Sequence, residues 1–272
     1  MNTTNTTECP SCNKTSVAND DDICPGCGWQ FKVGVGKGGV SIVRPAVRPK
    51  IPCEVQIAIT DDRTGSSDEF KLGIPVTVEG ILTPVVAKAR EVKVWFQTHG
   101  DLDEGQDMVL LVDGGTPEDA KKAVQGVVYD GGGDAPEHHL DAVERLVNTV
   151  PWIADPRKAR GAIVALMTAD SKPAHSGKTA RQIGEEIRKR GILLYCVCEE
   201  TAQLRELCDA AGGWMFTISN SPDAHQLQSI ASKVAASITQ VAGSGATVPL
   251  NAPRAHPQDA LTTIQQIHNT KP

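Results

Sequence analysis

Aromatic residues are scarce in this chain: four Phe, two Tyr and four Trp make up 4% of 272 residues. A core must therefore be packed from aliphatic side chains. No stretch approaches the ~18 consecutive apolar residues of a membrane helix, so no spanning segment and no membrane partner are expected. The opening stretch MNTTNTTECP has neither a basic start nor an apolar run, so no secretory leader is expected. A cytoplasmic location follows, in which the N-x-T triplets at Asn2, Asn5 and Asn13 carry no meaning. Positive charge is also lacking. The net charge is -6, and residues 53–240 carry 19 bases against 28 acids. An acidic body of this kind argues against broad binding to nucleic-acid phosphates. The one basic stretch, residues 31–52, has five bases and no acid. Glycine fills its first half and proline its second, so it reads as a solvated, extended linker with room for one short strand. Phosphate-binding loops are absent too: GVGKGG has the wrong spacing, and HSGKT at 175–179 has Lys172 where the first glycine should stand.

What is present begins with cysteine. Cys9, Cys12, Cys24 and Cys27 form two C-x-x-C pairs, CPSC and CPGC. Each pair brings two thiolates to one side of a tight turn, and the two pairs can then share one tetrahedral Zn²⁺. Two disulfides or an iron site of rubredoxin type are the alternatives, the former disfavoured in a reducing compartment. A module of ~30 residues cannot bury a useful core, so the metal would hold residues 1–30 together. The pattern resembles the zinc-ribbon family, a broad class whose members share no single partner. Cys196 and Cys198 fall on one face of the apolar run ILLYCVC, and with Cys53 and Cys208 they read as small buried hydrophobes.

From residue 53 short apolar runs alternate with amphipathic stretches. CEVQIAIT, EVKVWFQT, DMVLLV, GAIVALMT, ILLYCVC and WMFTIS read as strands covered on both faces. Helices are predicted over 76–89, 117–127, 136–150, 178–190, 201–211 and 224–238. Thr116-Pro117-Glu118-Asp119 supplies a cap, a proline at the first helical position and early acids. Pro75 and Pro84 predict a kinked or split first helix. This alternation implies an α/β domain over 53–240 with a mostly parallel sheet flanked by helices. Residues 241–272 read as a loose tail, with a short helix near 258–267.

In such a sheet, ligands gather beyond the carboxyl ends of the strands. Three of those ends carry acids. VQIAITDDRTGSS ends the first strand, GAIVALMTAD ends in Thr168 and Asp170, and YDGGGDAPEHHLDAV supplies Asp130, Asp134 and Glu137. Oxygen donors converging from several loops suit an octahedral Mg²⁺ or Mn²⁺. Asp61 and Asp68 read as helix caps.

Asp62-Arg63-Thr64-Gly65-Ser66 resembles the D-x-[ST]-x-S motif of von Willebrand factor A (VWA) domains. GGGDAPEHHLDAV resembles a loop of bacterial members and of integrin beta subunits, and LCDAAGGWMFTIS resembles the family's late glycine pair and aromatic-bearing strand. The resemblance covers about residues 53–240. It implies a Rossmann-like VWA domain with a metal-ion-dependent adhesion site. Asp62, Thr64 and Ser66 match its first loop, Asp170 its acid after the central strand, and Glu137 the glutamate of integrin-beta-like members. The family's second-loop threonine has no counterpart. Asp130 stands near its place, and Asp130 and Asp134 are additional candidate ligands. An extra carboxylate there would tighten metal binding and weaken the pull on an acidic partner.

What the resemblance implies is recognition rather than catalysis: a partner's acidic side chain completes the shell of a bound cation. Arg63, His138, His139 and His175 are candidate rim residues. The expected function is that of a non-enzymatic adaptor, working in bacterial fashion with an ATPase, kinase or phosphatase. The alternative is a nucleic-acid-associated factor using the ribbon and the basic linker. A metal-dependent hydrolase lacks a nucleophile or general base at a recognisable spacing.

Overall fold

The computed structural model describes residues 6–8, 15–17, 31–35, 41–45 and 51–243, except 70, 133–134 and 219–221. The candidate zinc ligands Cys9, Cys12, Cys24 and Cys27, the candidate ligand Asp134, the side chain of Asp68 and the predicted helix over 258–267 lie outside the described residues. The chain divides into two compact units, Met1–Pro49 and Lys50–Pro272.

In the first unit, β1 (Thr6–Glu8) pairs antiparallel with β2 (Thr15–Val17). The stretch read as an extended linker forms a second hairpin instead: β3 (Phe31–Val35) pairs with β4 (Ser41–Pro45). Both strands carry β-branched residues.

The second unit contains a six-stranded sheet. Its strands are β5 (Ile51–Asp62), β6 (Ala89–His99), β7 (Val109–Gly115), β8 (Ala159–Leu166), β9 (Leu193–Cys198) and β10 (Trp214–Thr217). They lie in the order β10-β9-β8-β5-β6-β7, all parallel except the edge strand β7. The order reverses at β5, so the switch point lies where β5 and β8 end side by side. Helices α1 (Gly73–Lys88), α2 (Pro117–Val124) and α6 (Ala224–Gly243) cover one face. Helices α3 (His139–Thr149), α4 (Ala180–Lys189) and α5 (Ala202–Ala211) cover the other. Among the described residues no helix is long and apolar enough to cross a membrane.

Period-two alternation divides β5 between the two cores. Val55, Ile57 and Ile59 face Ile81, Leu82, Val85 and Val234, whereas Ala58 joins Leu140, Ile163 and Ile183. Aliphatic side chains fill both layers, with Tyr195 and Phe96 the largest fully buried exceptions. The first helix, expected to be kinked or split, is not split: α1 runs as one helix of 16 residues. Pro75 sits in its first turn, where no N–H partner is needed. Pro84 lies inside the helix, and its neighbours hold it there: Ile81, Leu82 and Val85 are fully buried. At Gly80, one turn back, a Cβ would stand 2.9 Å from Ala231 Cβ of α6. Helix packing thus outweighs the local cost of the missing hydrogen bond. At α2 the predicted cap is present: Thr116 Oγ1 accepts from Asp119 N and Asp119 Oδ2 accepts from Thr116 N, at 3.2 and 2.8 Å.

Candidate metal centre

The register of the central strands decides which side chains meet. Asp62 pairs with His99 of β6, and Asp61 pairs with Leu166 of β8. Thr168 therefore emerges just beyond β8, beside the end of β5. Asp62 and Thr168 belong to one closed ring of oxygens. Asp62 Oδ1 accepts from Thr64 N at 3.0 Å and from Thr64 Oγ1 at 2.7 Å. Thr64 Oγ1 lies 2.9 Å from Ser66 Oγ, which lies 3.0 Å from Thr168 Oγ1. Thr168 Oγ1 donates to Asp62 Oδ2 and closes the ring. The first links arise locally, since an aspartate readily takes the backbone N–H two residues on.

These residues fit a hard cation. All four donors are oxygens, and one is an anionic carboxylate. Adjacent ligands of an octahedral Mg²⁺ at ~2.1 Å stand about 3 Å apart. Three of the ring's four links, at 2.7 to 3.0 Å, already match that edge. Asp62 and Thr64 are buried, while Ser66 is exposed and leaves one side of the ring open to solvent. Magnesium or manganese held there would act as a Lewis acid toward an incoming oxygen.

The other predicted ligands take varied positions. Glu137 is buried just ahead of α3. Its N–H donates to Asp170 O at 2.9 Å, and its carbonyl accepts from Lys172 N at 2.6 Å. Gly132 marks its approach to the ring: a Cβ there would stand 2.7 Å from Thr64 Cβ and 3.1 Å from Glu137 Oε1. With φ at +73° this is a position for glycine. Asp170 does not join the ring's hydrogen bonds. Its Oδ1 accepts from Ser171 N at 2.9 Å and Thr201 Oγ1 at 2.6 Å, tying the loop after β8 to the cap of α5. Asp130 is exposed and its Oδ1 accepts from Gly131 N at 2.8 Å. Its backbone is what reaches the first loop: Asp130 N donates to Arg63 O at 3.0 Å, and Gly65 N donates to Gly131 O at 2.7 Å. Thr168, which the sequence places beside Asp170 without distinguishing it, supplies the hydroxyl that the ring uses.

Of the four rim candidates, His175 is exposed, Arg63 is half-buried, and His138 and His139 are buried. His139 lies under the ring rather than around it. Its Nδ1 is 2.8 Å from His99 Nε2, and His99 Nδ1 is 2.8 Å from Thr60 Oγ1. Burial, reinforced by His139, pushes His99 down to about 3, and burial likewise lowers His139. Burial also works against the Asp62 carboxylate, but His139, His99, Thr168 and Thr64 together hold it below the ordinary range. With both imidazoles neutral near pH 7, the hydrogen bonds from Thr168 and Thr64 sustain the anion there.

The adjacent aspartates part company because they lie on opposite faces of β5. Asp61 does not cap a helix, as the sequence had implied. It is fully buried on the α1/α6 side, and its Oδ2 accepts from Tyr129 Oη at 2.7 Å. Burial pushes its carboxyl well up, with Tyr129 opposing and Asp62 adding to the rise. A folded-state pKa above the unfolded value means that this group's favourable contribution is complete below about pH 4. It is lost as pH rises through the folded-state pKa. Asp61→Asn keeps an acceptor for Tyr129 and removes the ionisation. Its stability at pH 8 is expected to exceed wild type by about 1 kcal/mol or more, with the gap closing toward pH 4. Urea midpoints at both pH values check this, and a variant no more stable than wild type at pH 8 refutes it.

Comparisons with known proteins agree with this architecture. The solved VWA domain of SpRpn10 shares 14% identity with this chain at a TM-score of 0.50, covering 65% of this chain and 93% of that domain. At this identity the likeness is one of fold, and the second unit has the Rossmann-like VWA fold. No family model and no curated protein matches the sequence.

Proposed function

We propose that this chain is a metal-dependent protein-recognition module, an adaptor rather than an enzyme. The carrying observation is the oxygen ring of Asp62, Thr64, Ser66 and Thr168, spaced like one edge-sharing part of an octahedral shell. Mg²⁺ or Mn²⁺ is the ion of choice for such donors. Glu137 stands close enough to share its charge with the site. A carboxylate of a partner protein would take the open side, with His175 and Arg63 on the approach. Nothing in the ring resembles a nucleophile with its base, since each hydroxyl is committed to its neighbours. The partner is proposed to be an ATPase, kinase or phosphatase that presents an acidic side chain. The amino-terminal cysteines are proposed to hold one structural Zn²⁺.

The test captures partners on wild type and Asp62→Ala in Mg²⁺, and on wild type in EDTA. Partners recovered by wild type in Mg²⁺ are expected to be lost in both other arms. Equal recovery in all three sinks the reading. Because EDTA also strips zinc, the Asp62→Ala arm isolates the ring. Zinc assays on wild type, Asp62→Ala and Cys9→Ser, all without EDTA, are expected to show one equivalent fewer in the cysteine variant only.

A further inference from the structure

A second cluster on the same sheet edge has the donors of a different metal. Asp103 lies in the short turn Leu102–Glu104 after β6, His138 is the residue before α3, and His175 lies in the loop after β8. One donor atom from each lies within 4.8 Å of the others. His138 Nε2 is 3.8 Å from Asp103 Oδ2. The two imidazoles stack with centroids 4.9 Å apart and planes at 24°.

The second observation is what holds the rings. His138 Nδ1 is 3.1 Å from Asp101 Oδ1, and His175 Nδ1 is 3.2 Å from Asp141 Oδ2. A carboxylate behind His175 Nδ1 fixes the proton there and leaves its Nε2 lone pair for a metal, the arrangement common to metal-ligating histidines. His138 Nδ1 accepts from Leu102 N at 3.2 Å, which in the neutral ring puts the proton on Nε2. A metal at Nε2 displaces that proton, and Nδ1 can then take it toward Asp101, which is buried and ion-paired to Lys172 Nζ at 2.8 Å. An anion 3.1 Å away repels a lone pair and attracts an N–H more strongly than a neutral amide does. Asp141 is anchored as well, accepting His175 N at 2.8 Å.

We propose that Asp103, His138 and His175 form a binding site for a borderline transition-metal dication such as Zn²⁺. Two imidazoles and one carboxylate leave a fourth tetrahedral position for water or a partner's ligand. Nitrogen donors set the site apart from the oxygen ring, which suits Mg²⁺. Tetrahedral ligands at ~2.0 Å stand about 3.3 Å apart, so the donors, now within 4.8 Å of one another, must draw together and the stacked His175 ring must turn its Nε2 toward the metal. Asp103 and His175 have side chains 61% and 58% exposed and are placed to do so. Lys172, now 2.9 Å from Asp103 Oδ2, keeps Asp101 as its partner when Asp103 turns to the metal. Such an ion would tie the turn after β6 to the loops before α3 and after β8, which already share backbone hydrogen bonds at Glu137.

The test titrates Zn²⁺ into the untagged full chain, already saturated at its cysteines, in excess Mg²⁺ that occupies the oxygen ring. Wild type is expected to take one further equivalent. His175→Ala and Asp103→Ala are expected to lose it, and Asp141→Asn, a positioning change, to weaken it about tenfold. Melting midpoints without added zinc show that the variants fold. With zinc, the midpoint is expected to rise in wild type and not in His175→Ala. A wild type that takes no further equivalent overturns the proposal, and so does uptake that persists in both ligand variants.

Discussion

Asp62→Ala is expected to abolish saturable Mn²⁺ binding at the oxygen ring, a loss of at least a hundredfold in affinity. Among the four ring side chains Asp62 is the sole anion, and it gathers three donors: Thr64 N, Thr64 Oγ1 and Thr168 Oγ1. Removing it takes away the charge that draws the cation and the acceptor that spaces the hydroxyls. Asp62→Asn separates the two effects. It keeps the shape and most hydrogen bonds, so it should lose affinity by charge alone, at least tenfold, or about 1.4 kcal/mol. Free Mn²⁺, followed by electron paramagnetic resonance on cysteine-saturated protein, reads both variants. Wild-type binding in Asp62→Ala would remove the ring from the metal question altogether. The carboxylate also matters without metal. Its folded pKa is depressed, so its contribution to stability is present above the unfolded value of about 4. That contribution is lost as pH falls through the folded value. Wild type and Asp62→Asn should therefore converge in stability in acid.

The ring also shows where a sequence stops being readable. Aliphatic runs between amphipathic stretches announced the strands and helices, and VQIAITDDRTGSS announced a ligand loop. The separation of Asp61 from Asp62 follows from the two-residue period of a strand. The place of Thr168 in the ring does not, because it depends on how β8 registers against β5. The Asp170 carboxylate looks like the better ligand in isolation. In the fold its Oδ1 goes to Thr201 and Ser171, and the hydroxyl two residues earlier reaches Asp62. Adjacent histidines at 138 and 139 looked like a matched pair on the rim. The start of α3 turns them apart, one to Asp101 and one to His99. Both partners lie about forty residues away, in a loop and a strand whose meeting is a property of the sheet order. Pro84 misled for a related reason: a local rule predicted a kink or a split, and packing of α1 against α6 kept one helix.

The largest effect on stability is expected from Gly184→Val, which should cost more than about 3 kcal/mol and leave little folded protein. Gly184 lies in α4 where it meets α5. A Cβ there would stand 2.5 Å from Leu207 O, 2.7 Å from Ala210 Cβ and 2.9 Å from Ala211 N. Two of these three atoms are backbone and cannot rotate away. Alanine already forces the helices apart, at about 1–3 kcal/mol. Valine adds two methyls and β-branching at a helical position, and separating the helices would uncover Ile183, Ile187, Leu204 and Leu207, all buried now. Gly177→Ala is the control. That residue has φ at +76° with nothing within 4 Å of a built Cβ, so it should cost only the backbone strain of about 1–2 kcal/mol. Urea midpoints of the three variants give the order directly, and Gly184→Val no less stable than Gly177→Ala would contradict the packing argument. The consequence reaches the metal centre. α5 begins at Thr201, whose hydroxyl holds Asp170, and the Asp170 carbonyl in turn receives the N–H of Glu137. Loosening α4 from α5 should therefore weaken Mn²⁺ binding in Gly184→Ala even where the protein remains folded, while Gly177→Ala leaves it unchanged.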